Sequence, residues 1–111
     1  MQKLEKLINL NLVDKDNIKE FYVQLSHILR EYTENSLFIK TLEMTTEEIR
    51  TNRELLPYSD NCTERYLNIL KTADMAKYAK HYNDADQCKS DLINSKNFIK
   101  DTIQYWKVSF S

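Results

Sequence analysis

Apolar residues recur along most of this chain at three- and four-residue intervals, the period of an amphipathic α-helix. The clearest run is Ile18, Phe21, Tyr22, Leu25, Ile28, Leu29 and Tyr32. At 100° per residue these fall on one arc of roughly 120°. The spacing predicts a helix starting after Asp14 or Asp16, either of which suits an N-cap. A shorter stretch over residues 2–10 puts Leu4, Leu7 and Ile8 at helical spacing before Asn9-Leu10-Asn11 interrupts it. Residues 35–44 form a connection rich in apolar side chains, expected to pack down on the core. Thr45-Thr46-Glu47-Glu48 reads as a capping box, the Thr45 hydroxyl taking a backbone N–H and Glu48 answering it. A short helix with Ile49 should follow and end near Leu55-Leu56-Pro57, where Pro blocks continuation.

Ser59 or Asp60 is placed to cap the next helix, over about residues 61–80. Its arc holds Cys62, Tyr66, Ile69, Leu70, Ala73 and Ala76, with Leu67, Met75 and Tyr78 extending apolar character around the cylinder. Asn83 or Asp84 caps a last helix over about residues 85–107, with stripe Cys88, Leu92, Ser95, Ile99, Ile103 and Trp106. The tail Val108-Ser109-Phe110-Ser111 is expected to fray. The pattern predicts an all-α fold, one small domain over residues 1–111, built as an irregular bundle of four to five helices. The three long helices form its core.

Composition removes several function classes. The 111 residues include no Gly and one Pro. Walker-type phosphate loops, dinucleotide fingerprints and nucleophile elbows all need Gly where backbone meets ligand or turns sharply. The net charge is −1, with 8 Lys/Arg against 10 Asp/Glu in residues 1–55 and 8 against 7 in residues 56–111. Nucleic-acid binders show a basic surplus that releases counterions from phosphate, so no nucleic-acid partner is expected. No run approaches the 18 apolar residues a membrane span needs, and the N-terminus lacks the apolar core of a signal peptide. The chain reads as soluble, alone or as the soluble part of a longer membrane-anchored protein.

Candidate chemistry is sparse. Cys62 and Cys88 lie on apolar faces and read as buried thiols, with a disulfide between them open in an oxidising compartment. Asn61-Cys62-Thr63 matches the short glycosylation sequon. His27 points away from the apolar arc, and His81 sits near a helix C-terminus, where a cation suits the dipole. A zinc site from His27, Cys62, His81 and Cys88 would need four scattered residues to converge, with no standard ligand step. Glu47/Glu48 and Asp84/Asp86 are first-turn helix acids rather than an acid–base pair. No enzymatic role, metal or cofactor is expected. Val23, Phe98 and Tyr105 lie off the core stripes. They either pack against another helix of the domain or form a patch for a partner, and they are the partner-contact candidates.

Three segments resemble a known family. Phe21-Tyr22-Val23-Gln24-Leu25-Ser26-His27-Ile28-Leu29-Arg30-Glu31-Tyr32 resembles the "FY…LS.ILR.YLE" helix of bacterial BatD-like proteins (named for Bacteroides aerotolerance) and a related family of unknown function. Leu42-Glu43-Met44-Thr45-Thr46-Glu47-Glu48-Ile49 is similar to their "ALE.TTEE" segment, and Ala73-Asp74-Met75-Ala76-Lys77-Tyr78-Ala79-Lys80 to their "AD.vKFAK" stretch. The blocks keep the family order and span about residues 18–103. The departure is Ser36-Leu37-Phe38-Ile39, where the family often has Arg-Phe-Gly-Ile. Phe38 stands at the Gly position, so a turn needing positive φ is expected to be built differently. The resemblance implies a cytoplasmic C-terminal domain of an inner-membrane protein, in systems linked to aerotolerance or envelope stress. It implies partners among von Willebrand factor A-like Bat proteins or a MoxR-type ATPase. It brings no catalytic residues. The competing expectation is a free-standing helix-turn-helix regulator using the short helix at 45–55, whose exposed face offers only Arg50 and Arg53 against Glu47, Glu48 and Glu54.

Overall fold

A computed structural model describes residues 4, 6, 7, 15–78 and 85–110, with side chains described within 17–77 and 85–103 and at the first three positions. Among the described residues four α-helices have defined bounds: α1 Lys15–Leu37, α2 Thr46–Thr51, α3 Asp60–Tyr78 and α4 Ala85–Phe110. Single 3-10 turns lie at Thr41–Glu43 and Arg53–Leu55. Among the described residues there is no strand, and no helix is long and apolar enough to cross a membrane.

The three long helices pack against one another. Tyr22 reaches Asp91, and Tyr32 reaches Ile99 and Thr102, so α1 and α4 run parallel. Arg65 pairs with Asp101 while Asp91 and Asn94 border a pocket with Thr72, so α3 runs antiparallel to α4. The predicted arc of α1 supplies the buried Phe21, Tyr22, Leu25 and Leu29, with Ile18, Ile28 and Tyr32 partly buried. From α3 come Cys62, Tyr66, Leu67, Ile69, Leu70 and Ala73, and from α4 Cys88, Leu92, Phe98 and Ile99. Full burial of one such side chain stabilises by about 1.5–3 kcal/mol. Leu4 and Leu7 are also buried and Lys6 is exposed, while the rest of the 2–10 stretch lies outside the described residues. Met75 is half exposed, so α3 buries less of its circumference than its run of apolar positions implies.

Local chemistry sets the boundaries. Asp16 lies inside α1, and Asp14 is outside the described residues, as are Asn83, Asp84 and His81. The Thr45 capping box forms in both directions, Glu48 N to Thr45 Oγ1 at 3.1 Å and Thr45 N to Glu48 Oε1 at 3.2 Å. Ser59, rather than Asp60, caps α3 through Cys62 N at 3.2 Å. The expected frayed tail is instead helical through Phe110.

The end of α1 overturns one expectation. Phe38 itself adopts φ 59°, and its N–H closes a bond to Glu34 O at 2.8 Å. The turn is therefore built with the left-handed residue that normally follows a helix, the place where Gly is favoured. A Phe there holds its Cβ against the carbonyl, at about 1–2 kcal/mol.

Candidate functional site

The three partner-contact candidates separate. Val23 is 39% exposed on α1 and, with Gln24, His27, Ile28 and Lys6, lines an open groove of about 400 Å³. His27 is exposed, as its position on the helix predicted, and lies 3.5 Å from Glu31. Phe98 is a correction: it is fully buried. Its ring stacks on Tyr66 at 5.0 Å and meets Tyr58 and Tyr32 edge-on at 5.4 and 6.2 Å. It packs inside the domain and cannot touch a partner. The Tyr105 side chain lies outside the described residues.

Phe98 sits about 100° from the main stripe because α4 has two neighbours. One stripe faces one helix, whereas a helix wedged against both α1 and α3 buries a wider arc. The aromatic centre so formed puts two phenols out of water. Burial raises the Tyr66 pKa from 10.0 to about 12. The Thr33 and Thr41 hydroxyls lie close enough to favour its phenolate, but no partner meets the Tyr66 hydroxyl at hydrogen-bond geometry, so desolvation dominates. Burial also pushes Tyr58 upward, with Tyr32 adding to it.

A second cluster joins elements that are distant in sequence. Arg30 of α1 donates from Nη1 to Ser26 Oγ at 2.6 Å and from Nη2 to Thr46 Oγ1 at 3.1 Å. Thr46 Oγ1 donates to Asp74 Oδ2 of α3 at 2.5 Å. Lys77 Nζ stands 3.4 Å from Asp74 Oδ1, its side chain only 11% exposed. Thr41 Oγ1 donates to the Arg30 carbonyl at 2.6 Å. The cluster borders a pocket of about 350 Å³ that Leu42 and Met44 also line. Residue-by-residue reading missed it, because its partners are 16 and 28 positions apart. The signal available was that Ser26, Arg30, Thr46, Asp74 and Lys77 all fall within the three family-like blocks.

Cys62 opens α3 and Cys88 opens α4, both as buried thiols outside any disulfide. In antiparallel helices these positions stand at opposite ends, roughly 20 Å apart along the axis at 1.5 Å per residue. A disulfide needs Cα atoms within about 7 Å, so the pairing left open by the sequence is excluded. Among the described residues no group of three or more His, Cys, Asp or Glu side chains forms a metal-holding arrangement. Comparison with known protein families, curated proteins and solved structures gives no match.

Proposed function

We propose that this chain is a non-enzymatic protein-interaction domain, the cytoplasmic C-terminal end of a BatD-like inner-membrane protein. Its partners are the von Willebrand factor A-like proteins or the MoxR-type ATPase of such a system. One observation carries the reading. The three blocks that resemble the family meet in space, since Arg30 of the first, which also donates to Ser26 in its own block, donates to Thr46 of the second, and Thr46 donates to Asp74 of the third. Residues shared with a family's motif are expected to be mutually dependent in this way. The left-handed backbone at Phe38, where the family often has Gly, supports the same reading.

The Val23 groove is the contact surface on this reading. It is apolar at Val23 and Ile28 and rimmed by Lys6, Gln24 and His27, the mixture of apolar centre and polar rim that transient interfaces use. Affinity capture of the tagged chain from its own cells tests the proposal. One of the two named partner classes should co-purify in near-equal amount. Val23→Asp should lower recovery about tenfold, the effect of roughly 1.4 kcal/mol, without moving the melting temperature. A chain recovered alone, or partner recovery indifferent to Val23→Asp, counts against it.

A further inference from the structure

We infer that the pocket beside Arg30 is a binding site for a carboxylate carried on an aliphatic group, such as an acidic or chain-terminal residue of a partner peptide. The inference rests on the interaction-domain reading and names the chemistry of what is recognised.

The argument begins with the charge on Arg30. Its guanidinium is part-buried, yet its two bonding partners are the neutral hydroxyls of Ser26 and Thr46. No carboxylate among the described residues lies within 4.0 Å of it, although Arg50, Arg53, Arg65 and Lys77 each have one within that distance. Its Nε–H is buried without a hydrogen-bond partner. A cation withdrawn from water is ordinarily held by a counter-charge. Asp74 lines the same pocket, but its two oxygens meet Thr46 Oγ1 and Lys77. Glu43 also lines the pocket, but it is exposed at the rim.

The shape of the pocket selects the ligand. A guanidinium offers five N–H groups in a planar fork that matches a carboxylate. Lys77 also lines the pocket but is paired with Asp74, which leaves Arg30 as the cation there without a carboxylate, and a single negative charge balances it. Leu42 and Met44 supply apolar lining in the same pocket, which suits a short aliphatic stem. At about 350 Å³ the pocket accepts one side chain or one chain terminus rather than a folded surface.

The test is a nuclear magnetic resonance titration of the full chain with sodium butyrate, with butyramide as the neutral isostere and sodium chloride as the ionic-strength control. Expected are saturable shifts of the Arg30 Nε–H and the Leu42 and Met44 methyls, with half-saturation at about 10 mM for so small a ligand. Butyramide should bind at least about tenfold more weakly if the carboxylate is recognised. Shifts that stay linear, or that butyramide reproduces, overturn the inference. Arg30→Lys keeps the charge and loses the fork, so binding should fall. Because that variant can also loosen the fold, Leu42→Asp serves as the second: it sets a carboxylate in the wall outside the hydrogen-bond network. Wild-type binding by a folded Leu42→Asp would equally overturn the inference. Peptides ending in Leu-Gln with a free terminus, and in Leu-Glu amide, separate a chain terminus from an acidic side chain. Butyrate binding without capture of either partner class would leave the site standing and sink the interaction reading. Capture without butyrate binding would do the reverse.

Discussion

Phe38 and Tyr66 show how single residues run against the stability of the fold. Phe38 is 78% exposed and holds φ 59°, so its ring gains little packing while its backbone is strained. Replacing it with Gly removes about 1–2 kcal/mol of left-handed strain, and the extra freedom of unfolded Gly returns about 0.5–1 kcal/mol. Phe38→Gly should therefore raise the denaturation midpoint by the equivalent of about 0.5–1 kcal/mol, whereas Phe38→Ala, which keeps the Cβ, should leave it unchanged. Equal effects of the two would place the cost in the ring rather than the backbone. Tyr66 is the buried counterpart. Its hydroxyl has lost water and found no partner at bonding geometry, so Tyr66→Phe keeps the ring stacked on Phe98 and removes only the orphaned group. Urea unfolding should show no loss, or a gain of up to about 1 kcal/mol; a loss above that would mean the hydroxyl is bonded after all.

Between elements, buried polar ties fix which faces meet. Tyr22 Oη donates to Asp91 Oδ2 at 2.5 Å, and Gln87 Nε2 donates to the other oxygen at 3.1 Å, joining α1 to α4 around a carboxylate that is 5% exposed. Tyr22→Phe removes a donor from a buried charge, so it should destabilise by about 1.5–3 kcal/mol. The double variant with Asp91→Asn should lose less than the sum of the single changes, because the two residues share one interaction. A double-mutant cycle in urea measures this, and strict additivity would show that the bond contributes nothing. These ties mark the limit of what the chain reveals unaided. The arc on α1, the Thr45 capping box and the Ser59 cap follow from spacings of three and four residues, which local geometry dictates. Asp91, by contrast, reads as one polar position on an amphipathic helix, and its partner is 69 residues away. Phe98 looked free for a partner because periodicity records one stripe per helix, whereas α4 is gripped from two sides. Phe38 resembled a broken turn because Gly is the only residue that announces a positive φ. The Arg30 cluster was legible as three separate motif blocks and became a site only when tertiary packing brought them together.

At the scale of the molecule, the aromatic centre links protonation to global unfolding. Tyr58 and Tyr66 both face Phe98, one edge-on and one stacked, at the meeting of the three long helices. Each phenol is neutral when folded, and burial raises its pKa above the ordinary value of 10.0. The folded state thus holds these protons more tightly than the unfolded chain. Stability contributed by the neutral phenols is complete below pH 10 and declines as pH rises toward the folded values, since the unfolded state then binds fewer protons. For Tyr66 the window runs from 10.0 to about 12. Within it each such group removes up to about 1.4 kcal/mol per pH unit. A small domain holding about 5–15 kcal/mol in total feels two such groups strongly, so helicity should collapse in one cooperative step in strongly basic solution. Tyr66→Phe should make the fall in stability per pH unit shallower by up to half. Urea midpoints measured across pH 9 to 12 supply the slope, and tyrosine Cζ chemical shifts show whether Tyr66 ionises with unfolding or before it. Ionisation of Tyr66 near pH 10 in a chain that keeps its helices would mean that the centre admits water, and the shared slope would then vanish.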